Sequence, residues 1–278
     1  THRYTLFPYT TLFRSRLGQL VATSLEQSRR LAVVPRARLA ALAREARLGE
    51  VPRVDAATAR RLARLAGARV LVLPAARRDG AGLLLELRGL DPVEDRRLFS
   101  LAETARDAGE APAVLDRLVA AARRKLRDRL DAPGGGAVRV ADAYSPSLEA
   151  TRAYFDGLDC WTGPDSRRTR AVDACPPFFE RALELDPSFA LAHYWLAVLR
   201  TPNGSLPERG RPHIEAALRG VDRLPAREAA HVRAYAAHLA GDDPGALRQY
   251  DDLLARFPDD GHALELAGFL LEARSDYE

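Results

Sequence analysis

The sequence predicts a small α/β domain of sandwich type followed by an all-α solenoid of helical repeats. Up to about residue 130, helical spacing of apolar residues alternates with short β-rich runs; from residue 148 the spacing is purely helical. The Gly- and Pro-rich stretch 131–147 between them predicts a linker. With 278 residues, 47% apolar and 29% charged, the composition is that of a globular protein long enough for two domains.

The opening segment, THRYTLFPYTTLFRS, differs from everything that follows. It holds four of the chain's nine Phe and eight Tyr residues and contains no Ala, Val or acidic residue. Its alternating Tyr and Leu would permit an edge strand. However, the DNA of a common short-read sequencing adapter translates to Thr5–Ser15 without a mismatch. We therefore predict that residues 1–15 are adapter-derived and not native. The absence of Met from the whole chain further indicates a fragment.

The α/β domain is predicted to span 16–130 and to lack its first strand. Asp55 is a candidate N-cap and Gly67 a candidate C-terminal glycine for its third helix. Asp79-Gly80 predicts a hairpin turn between two strands. The expected elements, in order, are a helix at 16–28, a strand at 31–34, a helix at 36–48, a helix after Asp55, the strands in ARVLVLPA, LLLELRGL and RRLFSLAETA, and a helix at 111–130.

Two later segments share a spacing that predicts packed helix pairs. In FFERALELDP, a large apolar residue is followed by a small Ala, which lets helices approach, and then by a Pro that stops the helix. GDDPGALRQYDDLLARFPDD places Tyr250 and Pro258 eight residues apart, as Phe179 and Pro187 are. The predicted packing residues are Gly157, Phe179, Ala182, Pro187, Gly241, Ala246, Tyr250 and Pro258.

This spacing resembles the tetratricopeptide repeat, and 148–278 would hold about three and a half such repeats, truncated at the C-terminus. Stacked repeats form a concave groove that binds peptides or proteins. We therefore expect a protein or peptide partner in that groove. By helical phase, the candidate lining residues are Tyr194, Val198, His231, Tyr235, His238, His262, Glu265 and Phe269. The alternative is that the aromatic residues among them are core and the polar ones solvated.

Motifs that carry catalytic chemistry are missing from the sequence. It contains no GxxxxGK[ST], no kinase HRD or DFG motif and no GxSxG, and PGGGA at 133–137 follows a helix rather than opening one. The six histidines form no HxxxH or HExxH pair. We therefore expect no catalytic, cofactor-binding or metal-binding residue. Cys160 and Cys175 are too few for a disulfide framework and are interpreted as structural thiols.

Charge is distributed unevenly along the chain. Residues 16–131 contain 24 basic and 15 acidic side chains, a net charge of +9, whereas 132–278 contain 16 basic and 23 acidic, a net charge of −7. The basic residues have no aromatic residues interleaved, which does not favour nucleic-acid binding. Attraction between a basic α/β domain and acidic repeats is the expectation we retain. No apolar run is long enough to be a membrane-spanning helix.

The order of parts carries a second resemblance. GARVLVLPA, the strand in DPVEDRRLFSL and the repeat-like SPSLEATRAYFDGL resemble a FlgO/TolB-N-type α/β domain followed by repeats, as downstream of bacterial serine/threonine kinases. The resemblance implies a non-catalytic regulatory and protein-interaction region of a larger signalling protein, on the cytoplasmic or periplasmic side of a bacterial inner membrane. The alternatives are the sensory region of a transcriptional regulator, and a free-standing repeat scaffold or envelope lipoprotein.

Overall fold

The computed structural model describes residues 3–6, 12–27, 31–34, 36–46, 56–126, 138–162, 171–201 and 206–275. The chain divides into two compact units, 1–141 and 142–278, and each is described by itself. Residues 131–137 of the expected linker and the candidate cap Asp55 lie outside the described residues. The domain boundaries predicted from the sequence stay predictions.

A five-stranded mixed sheet forms the centre of the first unit. Its strand order is β2-β1-β3-β4-β5; β1 is parallel to both of its neighbours, and β3, β4 and β5 are antiparallel to one another. The strands are β1 (Arg3–Leu6), β2 (Leu31–Val33), β3 (Val70–Asp79), β4 (Gly82–Leu90) and β5 (Arg97–Ala105). Strand β1 comes from the opening segment, whose alternating pattern would permit an edge strand, and it lies between two other strands. That residues 1–15 are adapter-derived and that the native domain lacks its first strand stay predictions.

Helices cover both faces of this sheet. The helices are α1 (Leu12–Glu26), α2 (Arg36–Glu45), α3 (Ala56–Leu65) and α4 (Ala111–Lys125). Leu71 packs in the cluster formed by α2 and α3, whereas α1 approaches Pro74. Because side chains alternate between faces along a strand, positions 71 and 74 lie on opposite faces. Helix α4 packs against α1, β4 and β5, and the Arg123 guanidinium of α4 donates to the backbone carbonyl of Ser24.

Local signals in this unit agree well with the structure. The predicted Asp79-Gly80 turn joins β3 to β4, and Gly80 has a φ of +60°, which glycine adopts at little cost. Gly67 ends α3: its N–H donates to the carbonyl of Arg64, and the next N–H donates to that of Ala63. The predicted order of helices and strands from residue 16 onward is confirmed, with bounds shifted by a few residues.

The second unit is helical throughout its described residues. From α8 onward, each long helix packs against the next one along the chain. A short 3₁₀ turn at Val221–Arg223 separates the sixth and seventh helices of the following list. The helices are α5 (Val140–Ala143, at the boundary between units), α6 (Leu148–Thr162), α7 (Ala171–Ala174), α8 (Pro176–Leu185), α9 (Ala190–Arg200), α10 (Pro207–Arg219), α11 (Ala226–Leu239), α12 (Asp243–Arg256) and α13 (Gly261–Ser275).

The residues expected to pack the helices lie at helix contacts and helix ends. Fully buried positions are Phe179, Ala182, Ala246 and Tyr250. Pro187 and Pro258 each follow the end of a helix by two residues, and Gly241, with a φ of +84°, follows α11. Their role as repeat-packing residues stays a prediction.

Gly157 marks the closest approach of two helices in this unit. A methyl group built on Gly157 in α6 would lie 2.6 Å from the ring of Phe179 in α8. The ring of Phe179 also stacks on that of Trp195 in α9, with centroids 6.0 Å apart. The absence of a side chain at position 157 therefore sets how deeply this aromatic ring enters between helices.

The two cysteines are joined, contrary to the interpretation as separate thiols. Cys160 in α6 and Cys175, immediately before α8, form a disulfide whose two residues are 15 apart in sequence. Two cysteines are enough for one cross-link when the fold brings them together, and that proximity depends on how α6 and α8 pack.

Gly157→Ala is expected to lower the free energy of unfolding of the second unit by about 1–2 kcal/mol. The added methyl must displace the Phe179 ring, which outweighs the gain of up to about 1 kcal/mol in helix propensity. Urea titrations measure the change. Gly268→Ala in α13 is the matched control, because its methyl would meet nothing within 4 Å and should raise stability. A stabilised Gly157→Ala variant would contradict this account of the packing.

Candidate functional site

Half of the residues expected to line a groove are enclosed in the second unit. Four of the eight have less than a tenth of their surface exposed; three are partly buried and one is exposed. The enclosed residues are Tyr194, Val198, His231 and Tyr235; the partly buried ones are His238, His262 and Phe269; Glu265 is exposed. The alternative weighed in the sequence analysis, that the aromatic residues are core, describes Tyr194 and Tyr235. Binding of a partner by the set stays a prediction.

One of the enclosed residues, His231, contacts Asp260, which lies immediately before α13. One carboxylate oxygen of Asp260, Oδ1, accepts the N–H of Ala263 at 3.0 Å and so caps this helix. The other oxygen, Oδ2, accepts Nε–H of Arg227 at 2.7 Å and the Nε2–H of His231 at 3.0 Å. Both partners belong to α11, so a single carboxylate joins α11 to the start of α13. Asp260, Arg227, His231, His262 and Tyr194 are called the Asp260 cluster below.

Asp260 is held in its charged form. Burial by itself would raise the pKa of this carboxyl, because a charge loses solvation there. The hydrogen bond from His231, the charge of Arg227 and the backbone N–H of Ala263 oppose burial and hold the pKa of Asp260 well below its usual range. The cap and the two α11 partners therefore depend on the same negative charge.

His262 connects this group to a third helix. Its Nε2 lies 2.9 Å from the hydroxyl of Tyr194 in α9, and its ring stacks on Trp195 with centroids 4.8 Å apart. Burial lowers the pKa of His262 to about 3, so the imidazole is neutral at pH 7, and burial also raises the pKa of Tyr194. The contact between α9 and α13 is therefore a hydrogen bond between two uncharged rings.

The pairing of His231 with a carboxylate has the form of a general-base dyad, but it is closed to solvent. With Nε2–H donating to Asp260, the other ring nitrogen of His231 is Nδ1, and that atom is enclosed. Within the residues that the structure describes, Nδ1 of His231, Nδ1 of His262 and the hydroxyl of Tyr250 have no hydrogen-bond partner. A base must reach the proton that it removes. In this structure the pair joins α11 to the start of α13.

The other candidate residues make separate contacts. The hydroxyl of Tyr235 lies 2.6 Å from that of Thr201, and burial raises the pKa of Tyr235 to about 12. His238 Nδ1 lies 2.6 Å from a carboxylate oxygen of Asp243, the first residue of α12. The ring of Phe269 meets the edge of His238 with centroids 6.4 Å apart. Each of these contacts joins α11 to a residue in another helix or immediately after one.

Sequence reasoning missed the two charged members of the Asp260 cluster, Asp260 and Arg227. A signal existed for Asp260, because an Asp before Gly261 at the start of an apolar helical pattern is typical of an N-cap. The position of Arg227 gave none. It lies one turn before His231 on α11, and its partner is 33 residues away.

Comparison with known proteins matches the first unit to a different family from the one expected. Residues 3–75 match the family model described as curli production assembly/transport component CsgG. The matched range contains β1, α1, β2, α2, α3 and the first part of β3, which is the whole parallel part of the sheet. It covers about a quarter of the chain. A search of curated proteins finds no match.

The match corrects three predictions. The expected resemblance to FlgO/TolB-N-type domains with tetratricopeptide repeats is wrong, because the matching family is CsgG and neither a tetratricopeptide-repeat nor a kinase-associated family. The predicted function, a regulatory region of a kinase or of a transcriptional regulator, is therefore wrong. The predicted association with signalling is wrong for the same reason. The alternative of a scaffold or envelope lipoprotein is only loosely related to the finding.

The error has a physical origin. An apolar strand such as GARVLVLPA, flanked by Arg-rich amphipathic helices, is what any sheet covered by helices on both faces requires. The helical pattern is equally general. In packed helices a large residue often faces a small one, and a Pro often follows the end of a helix. The spacing located the helices without identifying a family.

The match also bears on the opening segment. It begins at residue 3 and so includes most of the stretch that the sequence analysis set aside as adapter-derived. Within it, Arg3–Leu6 pairs with β2 and β3 in the sheet. Neither finding tests whether residues 1–15 are adapter-derived, and that stays a prediction.

Asp260→Asn is expected to lower the free energy of unfolding by about 3 kcal/mol. Asn keeps an oxygen to cap α13 but lacks the negative charge that pairs with Arg227. The loss of stability therefore reports on that charge and not on the cap. Asp242→Asn is the matched control: Asp242 caps α12 through the N–H of Gly245 and is exposed. That variant should change stability by less than about 0.5 kcal/mol. Equal losses in urea titrations of the two variants would show that the charge of Asp260 has no special role.

Stability is expected to fall as the pH drops from 6.5 toward 5. His262 is unprotonated in the folded state, since burial lowers its pKa to about 3, whereas in the unfolded chain its pKa is about 6.5. The unfolded state therefore binds more protons in this window, and His262 alone costs about 2 kcal/mol of stability between pH 6.5 and 5.

His262→Gln removes this proton but keeps a hydrogen-bonding group for Tyr194. Urea titrations at pH 6.5 and 5 should show a loss about 2 kcal/mol smaller in the variant than in the original protein. His193 and His213, whose pKa values burial also lowers, contribute equally to both proteins. The depressed pKa of Asp260 keeps its titration below this window. Identical losses would contradict a neutral, buried His262.

Proposed function

We propose that this chain is a non-enzymatic component of a curli-type assembly or transport system and works outside the cytoplasm. The observation that carries the proposal is the match of residues 3–75 to the CsgG family, whose described role is curli production, assembly and transport. The match includes consecutive strands and helices of one sheet rather than an isolated motif. A common fold core over this range supports a common role.

The disulfide in the second unit supports the compartment independently of the match. Disulfides persist in oxidising surroundings such as the periplasm and the cell surface, and they are rare in the reducing cytosol. Cys160 and Cys175 join α6 to the residue before α8, so the cross-link lies within the packed helices. None of the helices in the described part of the chain combines the length and hydrophobicity needed to cross a membrane.

The helical unit is proposed to act as a stacked-helix, solenoid-like module that contacts a protein of the same system. Support comes from α13, whose buried residues Ala263, Ala267 and Leu270 face α12. On the same helix, Leu264 and Leu271 are 52% and 55% exposed, and Glu265 is exposed beside them. Exposed leucines seven residues apart on a helix, next to a charge, are typical of a surface that packs against a partner.

A segment exchange tests the proposed role. In a chimera expressed in a curli-producing bacterium, residues 3–75 of this chain replace the matched segment of CsgG. Immunoblots measure the amount of curli subunit that reaches the cell surface. We expect delivery well above that of a strain lacking CsgG. The matched control is the same chimera carrying Val72→Asp, because Val72 is fully buried in β3 and a charge there should prevent folding.

The levels of both chimeras in the envelope must be measured alongside delivery. Delivery by the first chimera and its loss with Val72→Asp would support the proposal. A first chimera that is stable and present in the envelope at the normal level, yet delivers no subunit, would contradict it.

A further inference from the structure

Two histidines outside the Asp260 cluster lie close together between consecutive helices. His193 belongs to α9 and His213 to α10, and both side chains are half-buried. Their Nδ1 atoms are 3.1 Å apart, and the ring centroids are separated by 5.4 Å. The two residues are 20 positions apart in sequence, so no short histidine motif predicts that they lie close together.

The second nitrogen of His193 fixes which way its lone pair points. Nε2 of His193 lies 3.1 Å from the carbonyl oxygen of Pro187. A carbonyl only accepts hydrogen bonds, so Nε2 must carry the proton and donate it. In the neutral ring, Nδ1 then holds the lone pair and directs it toward His213. A histidine that donates one ring N–H to a backbone carbonyl and offers its other nitrogen is the usual arrangement at metal sites.

The spacing of the two Nδ1 atoms suits a shared metal ion. Zinc–nitrogen bonds are about 2.0–2.1 Å long, so two such ligands lie about 2.9 Å apart at a right angle and about 3.3 Å apart at the tetrahedral angle. The observed 3.1 Å lies between these values. Without a metal, the same distance is that of a hydrogen bond in which His213 donates its Nδ1–H to His193. The metal-bound state needs the other tautomer at His213 and a rotation of the two rings that turns both lone pairs toward one point.

The charged side chains around the pair bear on whether a cation can bind there. The surrounding charges are mixed: Arg219 and Asp186 act on His193, while Arg200 and Glu180 act on His213. Two basic and two acidic neighbours neither expel a cation nor attract it strongly.

We propose that His193 and His213 form a two-histidine site for a divalent transition metal ion, with Zn²⁺ as its simplest occupant. No group of three or more potential ligands occurs in the described ranges of the chain, so the protein supplies two nitrogens here. Water or a side chain of another molecule completes the coordination. Imidazole is a preferred ligand of Zn²⁺, Cu²⁺ and Ni²⁺. The bound ion joins α9 to α10 and stabilises the folded second unit.

Calorimetric titration of the full chain with Zn²⁺ tests the site. We expect one saturable site per chain and a thermal transition that rises with zinc concentration. His193→Gln and His213→Gln should each weaken that site at least tenfold and remove most of the thermal shift. Gln at 193 can still donate to the Pro187 carbonyl, and circular dichroism checks that each variant remains folded.

His238→Gln is the matched control, because His238 is also partly buried but pairs with Asp243 instead of another histidine. It should bind zinc as the original protein does. Two outcomes would overturn the proposal: no saturable zinc site in the original chain, or a site that survives in the double variant His193→Gln/His213→Gln. The second outcome would place the metal at other residues. The proposal does not depend on the role in transport.

Discussion

The negative charge of Asp260 is the constraint on which the helical unit most depends. A buried carboxylate is tolerated only when hydrogen bonds and opposite charge replace its lost water. Asp260 obtains them from the start of α13 and from two side chains of α11. Each of these groups would in turn lose its partner if the others moved. The relative placement of α11 and α13 is therefore specified by directional bonds and not by apolar packing alone.

Tyr194 and His262 extend this constraint to α9. Their hydrogen bond joins residues 68 apart in sequence, across helices that are not consecutive in the chain. His262 also stacks on Trp195, which belongs to the same helix as Tyr194. Non-polar contacts between consecutive helices would permit sliding of one helix along another. A hydrogen-bonded contact between distant helices restricts such sliding, because it is satisfied in only one register.

The elements of the fold were more predictable than the contacts between them. Helix periodicity, the Asp79-Gly80 turn and the glycine after α3 are local signals, and each is confirmed. By contrast, the disulfide and the Asp260 cluster depend on which helix faces meet. Helical phase placed Tyr194 and His231 on one predicted surface, but phase does not say whether that surface meets solvent or another helix. Here Tyr194 meets α13 through His262.

The opening strand also shows that a local sequence pattern does not determine which elements a segment contacts. RYTL is too short to identify a strand by its pattern, and the opening segment differs in composition from the rest of the chain. Its place in the sheet is defined by its neighbours, since β1 pairs with β2 through Thr5 and Val33 and with β3 through Thr5 and Val70. Without this strand, β2 would have no partner within the five-stranded sheet. The parallel part of the sheet, which is also the part matched to CsgG, therefore contains residues of the opening segment.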